Sequence, residues 1–459
     1  MSVQQPSLGV HSAERLDRLP TSVWHFRTVG LLFLAWLVES YDIGLIGNVL
    51  PSLSATYHFT AGDKSLVAVA STIGIVVGIL PAGYIADRIG RKRVLIAGTI
   101  VYAVLTFATG FVSGMVPIFL LRLLAGLGMG AVFPLPYAIG AEFLPGRIRG
   151  RFTGMADAFL SIGYFISPLL AIWLIPTTTS SGWRTMFLLG GLPIVFALLA
   201  WRWIPESPRW HEVKARPEQA EAIVADIERS VERSNGPLPA VGPPLPVVQS
   251  RGSVPLGTLL NRTYARRSLM LWILFGGTFF IFYSIQVFMP TVVLKLGFTL
   301  TSAFAFTAII VGVSIPGKLF ESWVIERWGR KPVIISFTLI AAVACFLFAF
   351  LGGVAGGAVL IVLLACVMSF FGISVDPAVK VYTTESYPTR VRATGTNATE
   401  GFGRLVSGIV GPAVIPLLLA GSGVAAAYGL VGAVALVAVV AIALLGEETK
   451  GRALEEISE

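Results

Sequence analysis

The sequence predicts an all-α membrane protein with twelve transmembrane helices in two pseudo-symmetric halves of six. Of its 459 residues, 55% are hydrophobic and only 13% are charged, about half the charged share of a soluble domain. Apolar runs of roughly 20 residues recur, each long enough to cross the hydrocarbon core as a helix. The symmetry comes from repeated motifs, because Gly83–Lys92 returns as Ser322–Lys331 and Glu142–Arg149 returns as Glu385–Arg392.

The apolar runs give six predicted spans before and six after a long polar loop. They cover residues 28–50, 66–86, 94–113, 116–140, 153–175, 184–204, 268–292, 302–325, 332–353, 355–382, 395–419 and 422–446. The predicted organisation is an N-terminal tail at 1–27, a first half at 28–204, a central loop at 205–267, a second half at 268–446 and a C-terminal tail at 447–459.

The connecting segments have distinct compositions. Residues 1–23 are polar and predict a mobile tail. In the central loop, 206–234 could form a surface helix, whereas the proline-rich stretch 236–255 predicts an extended linker.

Arginine and lysine cluster in alternate short loops, for example at Arg91, Arg147, Arg330 and Arg390, while the intervening loops carry almost none. By the positive-inside rule, both termini and the central loop are predicted to be cytoplasmic in an inner membrane. The net charge of +9 is therefore interpreted as a topology signal, and no nucleic-acid partner is expected. The N-terminal segment lacks a signal-peptide cleavage pattern, so span 1 is expected to remain in the mature protein.

Several motifs resemble the major facilitator superfamily over nearly the whole chain. Gly83–Lys92 resembles its signature loop between the second and third spans, and Arg122–Gly130 resembles its fourth-span motif. Pro205–Trp210 and Glu448–Arg452 resemble motifs of the sugar-porter-like branch, which also holds organic cation and anion transporters, synaptic vesicle glycoprotein 2 and bacterial niacin transporters. The resemblance implies a transporter whose two halves rock about a central site.

The charges of the repeated loop motifs are candidate latch residues. They can pair with helix ends and neighbouring spans and so hold one conformation of a transport cycle. Anchoring of the membrane topology alone is the alternative. The candidates are Asp87, Arg88, Arg91, Glu142, Arg147, Glu326, Arg327, Arg330, Glu385 and Arg390.

Acidic residues inside the spans are candidate proton carriers, because charges in hydrocarbon are costly and mark function. Glu39 and Asp42 stand three apart in span 1, hence on one helix face, and neighbouring acids raise each other's proton affinity. Their segment resembles the Asp-Gly-aromatic-Asp pattern of aromatic acid–proton symporters. Asp157 in span 5 and Asp376 in span 10, four residues before Lys380, are further candidates. Static pairing is the alternative for all four.

Arg404, near the middle of span 11, favours an anionic substrate. Its guanidinium stays charged when buried and can hold a carboxylate through two parallel hydrogen bonds. It also falls where organic anion transporters carry Arg and organic cation transporters carry Asp. An internal pair with Glu400, four residues earlier, is the alternative.

Aromatic and amide residues on plausible interior faces could shape a pocket for a flat ring. Plain packing is the alternative for each of them. The candidates are Trp36 in span 1, Phe133 and Tyr137 in span 4, and Tyr283 with Gln286 in span 7.

Together these residues predict proton-coupled uptake of a small organic anion, preferably an aromatic carboxylate such as nicotinate or a benzoate relative. A cation or sugar transporter, or a non-transporting membrane nutrient sensor, remains the alternative. No nucleotide loop, metal cluster or nucleophile–base pair stands out, so neither an enzyme nor a cofactor or metal is expected. The expected partners are a small-molecule substrate, protons and the lipid bilayer, and one chain supplies a complete site as a monomer.

Overall fold

The structure is a computed structural model that describes residues 12–175, 181–241, 255–351, 357–388 and 391–450. In this part of the chain twelve helices are long and apolar enough to cross a membrane, as predicted. The first half consists of span 1 (Val23–Tyr57), span 2 (Ala61–Ile89), span 3 (Arg91–Thr109), span 4 (Met115–Val132 and Leu135–Phe143), span 5 (Gly146–Leu174) and span 6 (Gly182–Leu189 and Pro193–Trp203). The second half consists of span 7 (Ala265–Lys295), span 8 (Leu300–Gly312 and Ser314–Trp328), span 9 (Arg330–Leu351), span 10 (Ala358–Gly372 and Asp376–Ser386), span 11 (Arg392–Leu405, a π-helical turn at Val406–Val410, and Gly411–Gly421) and span 12 (Gly423–Leu445).

Small residues let the helices of each half approach closely. A Cβ atom on Gly74 of span 2 or on Gly126 of span 4 would collide with the backbone of the other helix. Such small-residue interfaces are typical of membrane helices, which gain most of their association energy from close packing.

The two halves meet tightly at the end of the bundle opposite the basic loops. A Cβ atom on Gly47 of span 1 would lie 2.6 Å from the carbonyl oxygen of Gln286 in span 7. Ser65 Oγ of span 2 donates a hydrogen bond of 2.9 Å to the Ala413 carbonyl of span 11. At the other end, called the basic end because it carries the loops with Arg91 and Arg330, a cavity separates the halves.

Four helices around this cavity are interrupted near their middles. Span 4 breaks at Phe133–Pro134, span 8 at Val313, span 10 at 373–375, and span 11 contains the π-helical turn. Non-helical backbone at membrane depth occurs where it is buried in protein or lines a cavity, and π-turns are frequent at functional sites. The interruptions therefore place the candidate site between these four spans.

Among the described residues, the polar segments at the basic end form three α-helices, α1 (Ser12–Asp17), α2 (Pro208–Val213) and α3 (Pro217–Asn235), and a short 3-10 helix at Leu256–Leu260. A surface helix in the central loop was predicted. The tail was predicted to be mobile, but its residues 12–17 form the docked helix α1, while residues 1–11 lie outside the described residues. Arg15 of α1 and Arg18, just beyond it, both pair with Glu228 of α3 at 2.6 Å. Partial burial would raise the pKa of Glu228, yet the hydrogen bonds from these arginines hold it below its usual value.

Candidate functional site

A cavity of about 770 Å³ lies between the halves on the basic side of the membrane. Its walls come from spans 4, 5, 7, 8, 10 and 11. The ionisable side chains among its lining residues are mainly acidic: Asp157, Glu321, Glu326, Glu385 and Glu400, with Tyr137 and a single cation, Lys380.

Arg404 lies behind this lining, on span 11 just before the π-helical turn. Its side chain is only 4% exposed, and Nε and Nη2 donate to Glu400 Oε1 at 3.2 and 2.9 Å. The guanidinium stands 4.1 Å from the centre of the Phe133 ring, which belongs to the other half. Its Nη1 makes no hydrogen bond with any residue that the structure describes, so Arg404 keeps a donor available beside the Glu400 pair.

Glu39 and Asp42 have opposite environments although they share a helix face. The Glu39 side chain is fully buried, and neither carboxylate oxygen has a hydrogen-bond partner in the described chain. It lies within electrostatic range of Arg404. Asp42, also fully buried, accepts from Arg122 Nη1 and Nη2 of span 4 at 3.1 and 2.9 Å.

Further hydrogen bonds satisfy the remaining donors of Arg122 in the Asp42–Arg122 pair. Arg122 also donates to Ser71 Oγ of span 2 and to Thr106 Oγ1 of span 3, both at 3.0 Å. All the guanidinium nitrogens therefore have protein acceptors. Arg122 begins the fourth-span motif Arg122–Gly130, but its pairing with Asp42 was not predicted from the sequence.

Asp157 and Asp376 both contact Lys380, and one of these contacts joins the halves. Lys380 Nζ of span 10 lies 2.7 Å from Asp157 Oδ1 of span 5 and 3.0 Å from Asp376 Oδ2, four residues earlier on its own helix. Lys318 Nζ of span 8 donates to the Asp157 backbone carbonyl at 3.1 Å. Two lysines of the second half thus converge on one residue of the first.

The predicted ring residues divide into two groups. Phe133 and Tyr137 line the cavity, and Trp36 packs behind Tyr137 with ring centres 4.3 Å apart. Tyr283 and Gln286 are buried on span 7, towards the tight end of the bundle. The indole Nε1 of Trp36 and Gln286 Oε1 are buried without a hydrogen-bond partner among the described residues.

Sequence reasoning missed two residues of this region. Tyr164 of span 5 lies within electrostatic range of Arg404 and packs edge-on against Phe282 of span 7 at 5.1 Å. Glu321 of span 8 lines the cavity with Oε1 unpartnered in the described chain. The signal that could have identified Glu321 is a charge inside a predicted span.

Five of the ten predicted latch residues form ion pairs within their own half. Arg91 forms an ion pair with Glu142, and Arg330 pairs with Glu385 at 3.1 Å and with Glu326 at 3.5 Å.

The other predicted latch residues make different contacts. Arg88 donates to the Tyr84 hydroxyl, Arg147 donates to the Leu19 carbonyl, and Arg327 stands 3.6 Å from the centre of the Trp323 ring. The Asp87 side chain is exposed and makes no ion pair or hydrogen bond with the described residues. Arg390 lies outside the described residues.

Two further carboxylates, not predicted, cap helices at the basic end. Glu206 accepts from the Lys92 backbone N–H at the start of span 3, at 3.1 Å. Glu448 accepts from the Arg330 and Lys331 backbone N–H groups at the start of span 9, both at 3.0 Å. Each carboxylate lies in a motif, Pro205–Trp210 or Glu448–Arg452, that the sequence marked without a physical role.

Residues 32–407 match the sequence family described as Major Facilitator Superfamily. The chain belongs to the major facilitator superfamily. This match confirms the fold class and the family resemblance inferred from the loop motifs.

Similar proteins support the same conclusion. The chain is 29% identical over 446 residues to the niacin transporter NiaP of Acinetobacter baylyi, covering 96% of this chain and 98% of that protein. It is 27% identical to a gallate transporter of Pseudomonas putida, with 93% of each chain covered. Among solved structures, a D-xylose–proton symporter superposes with a TM-score of 0.75 at 21% identity, over 93% of this chain and 99% of that one.

The protein is therefore a multi-pass membrane transporter of the major facilitator superfamily that carries small molecules. The family and the relatives are transporters, which confirms the prediction that the chain is not an enzyme.

Proposed function

We propose that this transporter takes up a small aromatic carboxylate together with a proton, by alternating access across an inner membrane whose cytoplasmic side is the basic end. Arg404 is the main support, because it is a buried cation between the halves with one free donor edge and an aromatic ring beneath it. A guanidinium in that setting recognises a planar carboxylate by charge, by paired hydrogen bonds and by stacking. The niacin and gallate transporters among the relatives make aromatic acids the first substrates to test.

In this proposal the substrate carboxylate binds Arg404 from the cavity side, through Nη1. Glu400 then either shares the guanidinium or swings into the cavity, where it is already one-third exposed. Phe133 and Tyr137 line the path to this position, and Trp36 supports Tyr137 from behind. Tyr283 and Gln286 would complete the ring pocket on the span 7 side.

Glu39 is the proposed proton carrier. A fully buried ionised carboxylate without partners is costly, so the neutral acid suits the observed surroundings. After the substrate has left, loss of this proton would provide a negative charge near Arg404. One proton carried with each monovalent anion would also remove the opposition of a negative-inside membrane, about 2.3 kcal/mol per charge per 100 mV.

Asp42, Asp157 and Asp376 receive other proposed roles. Asp42 is held by Arg122, so it fixes span 1 against span 4 and is a weaker proton candidate than Glu39. Asp157, Asp376 and Lys380 form a strut between the halves beside the cavity. This strut could rearrange when the cavity closes, as could the latch residues.

The acidic cavity lining favours an organic cation as the second candidate substrate. However, four of the five lining acids have a cationic partner: Glu326 and Glu385 share Arg330, Glu400 pairs with Arg404, and Asp157 pairs with Lys380. Glu321 is the acidic lining residue without an ion pair within the described chain. Because the buried cation Arg404 lies behind this lining with a free donor, the anion is the better candidate.

Reconstitution into liposomes with an imposed pH gradient tests the proposal. We expect accumulation of labelled nicotinate or 4-hydroxybenzoate when the outside is acidic, and counterflow of the same acid without a gradient. Choline and xylose are tested in the same assay as representatives of the alternative substrate classes, organic cations and sugars. Accumulation of either of these instead would overturn the anion assignment, and absence of counterflow for every solute would favour a sensor.

A further inference from the structure

A second cavity, of about 650 Å³, lies at the basic end of the first half, outside the transport pathway. Three of its walls are span ends: Trp24 and Arg27 at the start of span 1, Lys92 at the start of span 3, and Arg202 with Trp203 at the end of span 6. The fourth wall is the face of the surface helix α3 that carries Asp226, Arg229 and Arg233, beside its buried face. The cavity is thus at the depth where spans leave the membrane.

The charge of this cavity is strongly positive. Its lining includes five cations, Arg27, Lys92, Arg202, Arg229 and Arg233, against a single acid, Asp226. Asp226 is 3.5 Å from Arg229 and offsets that charge.

Most of the remaining positive charge is not neutralised by the protein. Arg27, Arg202 and Arg233 make no ion pair or hydrogen bond with any part of the chain that the structure describes, and Lys92 Nζ binds only the Trp201 carbonyl. Several cations facing one cavity repel each other unless an anion joins them.

The corresponding place in the second half differs. The small cavity at the ends of spans 7 and 12 measures about 160 Å³ and contains Arg266 and Arg267. These arginines donate to the backbone carbonyls of Leu444 and Ser386. The second half therefore satisfies its arginines internally, while the first half keeps an open basic cavity of ligand size.

From this cavity we infer a binding site for the phosphate headgroup of an anionic phospholipid. Trp201 and Trp203 are both exposed next to Arg202, and aromatic side chains that flank a cation are typical of the membrane–water interface. Basic pockets between span ends on the cytoplasmic side select anionic headgroups. The phosphate would bridge Arg202 of span 6 and Arg233 of α3, and so tie the central loop to the first half.

Native mass spectrometry of the full-length purified protein can test this site. The probes are the anionic lipids phosphatidylglycerol and cardiolipin. Phosphatidylcholine is the zwitterionic lipid control, and inorganic phosphate is the soluble anion control. The wild-type protein is expected to retain one anionic lipid and to gain thermal stability with it. Equal stabilisation by phosphatidylcholine or by inorganic phosphate would overturn the anionic-lipid assignment.

Paired variants locate the site. The double variant Arg202→Gln/Arg233→Gln removes two cavity charges, and the control Arg93→Gln/Arg262→Gln removes two exposed arginines that do not line the cavity. We expect the first to weaken phosphatidylglycerol binding roughly thirtyfold, since each arginine near an anionic headgroup contributes about a factor of five. Equal weakening in the control, or none in the cavity variant, would overturn the site. Both proteins must elute as the wild type in size-exclusion chromatography.

Discussion

At the basic end of the bundle the two halves carry the same ion pair and the same helix cap, whereas in the middle of the membrane they carry different charges. Arg91–Glu142 in the first half corresponds to Arg330–Glu385 in the second. Glu39 and Asp42 of span 1 have no acidic counterparts in span 7. The corresponding part of that span carries Phe282, Tyr283 and Gln286. We interpret the repeated contacts as parts of the scaffold that both halves share, and we propose that the unrepeated charges mark the substrate site.

The repeated cap has a clear physical basis. Gly90 and Gly329, just before spans 3 and 9, have φ values of +111° and +99°, which favour glycine. The carboxylates of Glu206 and Glu448 stand directly against these glycines, leaving no room for a Cβ atom. Each carboxylate then satisfies free backbone N–H groups and the positive end of a helix dipole.

Among the charges that occur in only one half, Arg404 provides the strongest test, through the substitution Arg404→Ala. Removing this buried cation takes the hydrogen-bond donor away from the substrate carboxylate, and truncating one partner of a buried charge pair costs about 2–5 kcal/mol of binding free energy. We expect nicotinate counterflow to fall by at least a hundredfold. Arg404→Lys keeps the charge but not the fork and should retain partial activity. Near-normal counterflow in the alanine variant would remove Arg404 from substrate binding.

Glu39→Gln and Asp42→Asn compare the two acids of span 1. Because Glu39 has no partner, Glu39→Gln should leave thermal stability unchanged while accumulation no longer follows the pH gradient. Asp42→Asn leaves Arg122 buried and unpaired, so we expect a stability loss of about 3 kcal/mol. Measurements are gradient-driven uptake and the melting temperature. A stable Asp42→Asn protein that has lost coupling would assign the proton to Asp42 instead.

Glu206→Gln and Glu448→Gln examine the repeated caps. Each change weakens charged hydrogen bonds to backbone N–H groups, worth about 1.5–3 kcal/mol. We expect similar falls in melting temperature for the two variants and an unchanged affinity for nicotinate. If one variant lowers affinity and the other does not, the caps are not equivalent and one of them acts on the site.

Asp87→Asn should have the smallest effect. The exposed Asp87 side chain has no partner within the described residues, so its loss should change neither stability nor binding in this conformation. If Asp87 acts as a latch in the opposite conformation, its loss should slow turnover several-fold. This would be measured as the counterflow rate at saturating substrate. Equal weakening of binding would place Asp87 in the energetics of the substrate site, and an unchanged rate would leave it with a role in topology.

Local sequence patterns were sufficient to predict the spans and the motifs. The ion pairs between spans could not be predicted in this way, because their partners are distant in sequence. Arg122 binds Asp42 across 80 positions, and α1 docks because Arg15 meets Glu228, more than 200 positions later. Local composition records the charge of such residues and says nothing about their partner. For the same reason, Arg404–Glu400 and Lys380–Asp376, both four apart on one helix, were foreseen as alternatives, whereas Lys380–Asp157 was not.

The sequence by itself determined the membrane location, the number of spans and the family, because hydrophobic length and the charged loop motifs are local properties. The tertiary structure alone decided which buried charges are satisfied. Asp42 forms an ion pair with Arg122, whereas Glu39 has no hydrogen-bond partner among the described residues. Arg404 keeps a free donor beside an aromatic ring. Burial and partnership depend on how helices pack, and they set the free energy of a charge inside a membrane.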